Sequence, residues 1–377
     1  MNNLLTIPPL SLYIHYPWCL KKCPYCDFNS HEGEVKTGYI NALIEDLEGD
    51  LKYVQNRAIE SIFIGGGTPS LMSTEDANDL IDGLKERLTF SDNVEITMEA
   101  NPGTFEVEKF AEFRNIGINR LSIGVQSFED RQLKFLGRVH SSNEAINAIT
   151  EAQRVGFKNL NIDLMYGLNG QSIDMCIEDL NKAIELNPSH ISFYQLTLEP
   201  NTLFSKFPPR LPSEEVIWEM GEKGANLLNK KGFRQYEVSA YSTTPSIHNL
   251  NYWTFGDYIG IGAGAHGKIT DMNTHQIFRT LKLKSPNEYL LSFKKNKKTS
   301  RKKMVDSLSF EFMLNGLRLI DGFDSGLYES RTGLSIESVR SQIIKAEKLN
   351  LLDTRDNWIK PTKSGYSFLN ELQEIFL

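Results

Sequence analysis

The sequence predicts an α/β fold: an open, partial (β/α)6 barrel of the TIM type, followed by a smaller helical, winged-helix-like domain. Three observations carry that expectation. Short β-rich runs alternate with amphipathic helical patterns over the first 200 of the 377 residues, polar or glycine-rich motifs follow the strands, and the alternation loosens beyond Phe204. Strands separated by helices at this spacing favour parallel pairing with right-handed crossovers. Six βα units are two short of the eight that close a barrel, so the sheet is expected to stay open.

The strands are expected at residues 12–15, 61–64, 94–99, 120–123, 160–164 and 190–196. Helical periodicity covers 38–54, 74–89, 107–116, 142–155 and 173–186, the last holding Cys176 as a packed thiol. These units define a core domain over residues 1–200. Residues 201–275 read as an extension of the barrel, with a proline-rich bridge at 207–212, a helix, and a strand at 235–241. Residues 276–303 read as a basic linker, since nine Lys or Arg residues lie between Lys282 and Lys303. Over 304–377, helices at 308–319 and 336–349, a hairpin within 351–361 and a last helix from Gly365 give the winged-helix-like module.

Bulk composition narrows the function. A hydrophobic content of 40% supports a sizeable core. A formal charge of −7 and the lack of a basic recognition helix argue against nucleic acid as a partner. Three of the four cysteines share one eight-residue window, so no disulfide framework is expected; reduced thiols imply a reducing compartment, the cytoplasm. The first residues lack the pattern of a secretory signal, and no apolar run reaches bilayer-spanning length. The basic run from Lys282 is expected to be a solvated linker, with peripheral contact to anionic lipid as its second reading.

The chemistry is expected at the carboxyl ends of the strands, where open and closed β/α sheets bind ligands. The first strand leads into Cys19, Cys23 and Cys26, a CxxxCxxC run. Three close thiolates can hold three irons of a [4Fe–4S] cube and leave the fourth open. A zinc site on Cys23 and Cys26 with His15 or His31, or a redox pair of Cys23 and Cys26, are the alternatives. The second strand leads into Gly65, Gly66, Gly67 and Thr68, where missing Cβ atoms let a backbone approach a ligand; a tight turn is the plainer reading. Glu99, Gln126, Arg138 and Asp163 come from different βα units or the loops that follow them. Each alone could be a surface or capping residue, but converging at one rim they suit a zwitterion and a ribose.

The cysteine loop closely resembles that of radical S-adenosylmethionine (SAM) enzymes. The resemblance implies that SAM chelates the open iron, that an electron from the cluster can cleave its sulfonium to a 5′-deoxyadenosyl radical, and that Gly66, Gly67 and Thr68 lie along its methionine part. The stretches ITMEANPGT, RLSIGVQSF, LGRVH and NIDLMYGL look like the corresponding parts of oxygen-independent coproporphyrinogen III oxidases and their relatives. That likeness implies SAM contacts from Glu99, Gln126, Arg138 and Asp163, with Tyr13 and Phe28 flanking the cluster.

Two departures separate the branches of that group. The oxidases carry a further cysteine two positions after the third and an N-terminal extension; here Phe28 holds that position and eighteen residues precede Cys19. Both features resemble the HemW-type haem chaperones, as does the run His248-Asn-Leu-Asn-Tyr-Trp253, which matches their HNxxYW motif. The resemblance implies that His248 takes part in haem binding, and imidazole is a common axial ligand of haem iron. His266, in a glycine-rich loop, is a second candidate ligand. The expectation is therefore a haem chaperone that delivers haem to apoproteins without coproporphyrinogen oxidase activity, with a homodimer as one oligomeric state. Coproporphyrinogen III oxidase is the alternative, and a radical SAM enzyme acting on another substrate is a third reading.

Overall fold

The computed structural model describes residues 4–295 and 300–377. Its main sheet has twelve strands: β1 (Leu10–Tyr16), β2 (Ile59–Gly66), β3 (Phe90–Ala100), β4 (Arg120–Gln126), β5 (Asn159–Tyr166), β6 (His190–Gln195), β7 (Arg234–Gln235), β8 (Ala240–Ser242), β9 (Asp257–Ile261), β10 (His266–Asp271), β11 (Gln276–Lys282) and β12 (Ser300–Met304). They are ordered β12-β11-β10-β9-β1-β2-β3-β4-β5-β6-β8-β7. The six predicted strands are the contiguous parallel block β1 to β6. These strands are enclosed on both faces, as in β1, whose Leu10, Leu12 and Ile14 alternate with Ser11, Tyr13 and His15, because helices cover one side and the barrel lumen the other.

The helices fall where the periodicity puts them. They are α1 (Tyr39–Asp50), α2 (Thr74–Lys85), α3 (Phe110–Ile116), α4 (Ser142–Arg154) and α5 (Ile173–Glu185). Local chemistry fixes their starts. Ser73 and Ser172 accept bonds from first-turn amides of α2 and α5, and Ser141 with Glu144 forms a reciprocal capping box on α4. Cys176 is buried in α5, and burial pushes its thiol up to about 12.

Beyond residue 200 the structure departs from a simple extension. Helix α6 (Glu214–Lys230) packs on α5, and the single strand expected at 235–241 is a hairpin of β7 and β8 added antiparallel to β6. The chain then crosses to the opposite edge. There β9 pairs parallel with β1, and β10 to β12 continue antiparallel outward. Between the two edges, α7 (Ile247–Trp253) packs against β1 and β2.

The expected basic linker is folded instead. It supplies β11, a helix α8 (Pro286–Lys294) and the edge strand β12; Lys297 and Lys298 lie outside the described residues. Lys282 is not solvated. Its ammonium is buried between Asp46 at 2.6 Å and Asp50 at 2.7 Å, a closed charge set that ties β11 to α1. A second buried set, Asp257 with Arg57 and Lys268, fastens β9.

The last 70 or so residues have their own apolar core, including Phe312, Phe323, Tyr328, Ile343, Leu352 and Leu372. Helices α9 (Leu308–Gly316), α10 (Ser325–Thr332), α11 (Arg340–Lys348) and α12 (Leu369–Glu374) surround it. The hairpin β14 (Leu352–Arg355) and β15 (Trp358–Pro361) gains a third strand, β13 (Phe323–Asp324). Helix α10 and β13 were not legible in the periodicity.

Candidate functional site

Parallel register sets the carboxyl ends of β1 and β2 side by side, His15 opposite Gly65 and Tyr16 opposite Gly66. The cysteine loop leaves directly from β1. A two-residue parallel pairing closes its neck, Trp18 with His31 and Cys19 with Glu32, and the Cys26 amide donates back to the Cys23 carbonyl at 3.1 Å. All three cysteines line one cavity of about 650 Å³ at this rim. Cys19 is buried, and Cys23 and Cys26 are half-buried.

Burial, then the neighbouring Cys26 and Cys23, push the Cys19 thiol up to about 11. Three thiolates crowded here need positive charge close by. Arg138 brings one, donating to the Cys23 sulfur at 3.5 Å while its other nitrogen bonds Asn101 at 2.6 Å and the Gly124 carbonyl at 2.8 Å. A metal cluster brings more, because coordination deprotonates a thiol outright. The donor set thus fits a [4Fe–4S] cluster. It does not fit zinc through His15, whose two ring nitrogens bond the Tyr13 hydroxyl at 2.9 Å and the Asn29 carbonyl at 3.0 Å.

The glycines act in two ways. A Cβ at Gly67 would lie 2.3 Å from the Trp18 carbonyl oxygen, and one at Gly66, whose φ is +119°, 2.7 Å from the His15 ring. Their bareness therefore seats the cysteine loop on the β2 turn, through bonds from Gly67 N to Tyr16 O and Thr68 N to Trp18 O. Gly66, Gly67 and Thr68 also line the cavity. The tight turn is thus observed, and it stands at the cavity wall.

Glu99, Gln126 and Asp163, from three strands, and Arg138, from the loop that follows β4, converge as expected, and all line the same cavity. Glu99 accepts from the Gly66 amide at 3.0 Å. Burial, reinforced by nearby Asp163, pushes its carboxyl up to about 7. Asp163 is raised by burial too, and accepts from Asn161 at 2.8 Å. Gln126 adopts φ +73° at a register break between β4 and β5, and its side-chain oxygen accepts from the Tyr194 hydroxyl at 2.7 Å. A non-glycine residue held in that conformation at a cavity wall marks a position where geometry outweighs local strain. Phe28 is exposed at the cavity mouth.

Two sequence expectations are displaced. Tyr13 does not line this cavity but a neighbouring one. His248 lines neither. It is 1% exposed, its Nδ1 bonds Ser61 at 2.9 Å, its Nε2 bonds the Tyr252 hydroxyl at 3.0 Å, and burial holds it at about 3. Both nitrogens being engaged, His248 is not presented to an iron. Its backbone amide and the Ser246 hydroxyl instead bond Glu95, which anchors α7. Trp253 stacks with Arg318, 4.3 Å from ring to guanidinium.

Sequence reasoning missed Arg120 and Asn249, which also line the cavity. Arg120 is 2% exposed, with no partner for its Nε among the described residues. It opens a strand rather than following one, so a search of strand ends passes over it. Asn249 sits inside the HNxxYW motif, beside the histidine that drew attention.

Comparison with known proteins agrees with this arrangement. Residues 13–183 match the radical SAM superfamily and residues 306–368 the HemN C-terminal domain. The heme chaperone HemW of Escherichia coli strain K12 is 46% identical over 379 residues, covering 99% of this chain and all of that protein. HemW of Haemophilus influenzae is 46% identical, covering 98% of each, and that of Bacillus subtilis 32% identical, covering 97% and 99%. The solved coproporphyrinogen III oxidase (HemN) of Escherichia coli superposes with a TM-score of 0.83 at 21% identity, over 98% of this chain and 90% of that one, a likeness of fold.

Proposed function

The chain belongs to the HemW family of radical SAM proteins, and we propose that it is a haem chaperone, binding haem and delivering it to apoproteins. It carries a [4Fe–4S] cluster and SAM. The observation that carries this reading is the end-to-end likeness to haem chaperones at 46% identity. Phe28, in place of the further cysteine of the oxidases, agrees with it.

When bound, the cluster supplies an open iron site and one-electron reducing chemistry. Cys19, Cys23 and Cys26 are the residues to hold it, with Arg138 balancing their charge. Glu99, Gln126, Asp163 and the Gly66–Gly67–Thr68 turn are the residues to receive SAM, and Phe28 packs over the mouth. Transfer of haem needs a difference in affinity between two partners and no bond cleavage in the porphyrin.

The test is anaerobic incubation of the cluster-loaded protein with SAM, a reductant and either haem or coproporphyrinogen III, followed by porphyrin chromatography. Stoichiometric haem retention, passage to an apoprotein and unaltered coproporphyrinogen are expected. Conversion to protoporphyrinogen would make the protein an oxidase.

Finer features follow from the surface. No helix among the described residues is long and apolar enough to cross a membrane. We infer work in the cytoplasm from the reduced thiols that a cluster needs, with peripheral contact to anionic lipid through the exposed edge of β12 and the end of α8. Flotation with anionic vesicles should fall on charge reversal of Lys294, Lys295, Lys297 and Lys298; unchanged flotation rejects the contact. Leu20, between Cys19 and Cys23, and Phe28, just after Cys26, are both exposed and support a homodimer, which sedimentation would detect.

A further inference from the structure

A second cavity of about 850 Å³ lies against the first and shares Cys26, Phe28 and Glu99 with it. Its size falls in the range that holds cofactor-sized ligands, roughly 300–1,000 Å³. Tyr13, Tyr252, Tyr258 and Phe28 are its aromatic residues. The rings of Tyr252 and Tyr258 meet edge to face at 4.5 Å. Their hydroxyls are held from behind, Tyr252 by His248 and Tyr258 by Arg279 at 2.8 Å, and Arg279 pairs in turn with Glu311. These walls are fixed before any ligand arrives.

Three histidines line this cavity. His15 is buried with both nitrogens bonded. His31 bonds the Asn29 side-chain oxygen at 3.3 Å. His266, at the start of β10, is exposed, and its imidazole has no hydrogen-bond partner among the described residues. Lys284 stands at the same cavity, exposed to solvent.

Haem is a flat apolar macrocycle with an iron that takes an axial imidazole and an edge of two carboxylates. We infer that haem occupies this second cavity, with His266 as the axial ligand of its iron and Lys284 placed to meet a propionate. The inference rests on the haem-chaperone reading and names where the cargo sits. Partial enclosure of the ring and the neighbouring Lys284 and Arg279 charges lower the proton affinity of His266, a direction that favours the neutral, ligating imidazole. His248 then takes part in haem binding without touching it, by holding Tyr252 in the wall.

Haem titration of the full-length protein, followed by its Soret band, tests the assignment. His266→Gly should shift the band and weaken affinity at least tenfold, and added imidazole should restore the wild-type spectrum. Lys284→Glu should weaken affinity severalfold with the spectrum unchanged. An unaltered band and affinity in His266→Gly, or the same losses from His31→Ala alone, would overturn the assignment while leaving the chaperone standing. Absence of haem binding by the wild type would remove the chaperone reading itself. Iron and sulfide content after cluster reconstitution reports folding of every variant.

Discussion

Replacing His248 with Ala separates a structural histidine from a haem ligand. The imidazole is fully enclosed, bonded at both nitrogens and packed 5.1 Å from the Phe63 ring. Truncating a side chain of that size in a core costs about 2–5 kcal/mol. The hydrogen bonds add less than their full desolvation cost. Ser61 keeps its 2.7 Å bond to Ser11, and the freed Tyr252 lines a cavity that water can enter. A loss of about 3 kcal/mol follows, within a range of about 2–4 kcal/mol. Denaturant unfolding of the cluster-free protein would measure it. The pH dependence provides a second signature. His248 falls from ~6.5 in the unfolded chain to about 3 when folded, so the unfolded state binds the extra proton between those values. Wild-type stability therefore drops as pH falls below ~6.5, and the variant should lose up to about 1.4 kcal/mol per pH unit of that slope. Its Soret band should persist, with weaker haem affinity. A variant of wild-type stability that has lost the iron ligation spectrum would refute the argument, because His248 would then be reaching the iron.

Other consequences follow from the same geometry. Gly67→Ala drives a methyl group into the Trp18 carbonyl, a backbone atom that cannot swing aside, so reconstitution should yield less than half the wild-type iron and sulfide; full incorporation would contradict the seating of the loop on this turn. Glu99, raised to about 7, favours its neutral form, so its contribution to stability is present at acid pH and is lost as pH rises from the ordinary carboxylate range through 7. Glu99→Gln should flatten melting temperature against pH over that window, while an unchanged profile would show the carboxyl to be solvated. Lys282→Met leaves Asp46 and Asp50 buried without their cation and should cost about 3–5 kcal/mol in an unfolding titration. A cost below about 1 kcal/mol would return this residue to the solvated role its basic neighbourhood suggests.

What the sequence determined by itself is whatever depends on residues near one another in the chain. Periodicity, serine caps and apolar runs specify the six βα units, because hydrogen bonding and burial of a helix or strand are read within a dozen residues. The spacing of Cys19, Cys23 and Cys26 specifies a cluster loop for the same reason. The convergence of Glu99, Gln126 and Asp163 was legible too, since parallel strands bring all their carboxyl ends to one rim, and Arg138 reaches that rim from the loop after β4. Only the tertiary structure decided the fate of residues whose surroundings come from distant segments. Lys282 belongs to a run of cations that looks solvated, yet Asp46 and Asp50, more than 200 positions earlier, bury its charge. His248 looks like a ligand in its motif, but Ser61 on β2 consumes one of its nitrogens. Arg120 enters the lumen from the opposite end of its strand, and His266 gains its cavity only because β9 crosses to pair with β1. A polar side chain's role is set by which partners satisfy it, and those partners are assigned when the sheet closes its register.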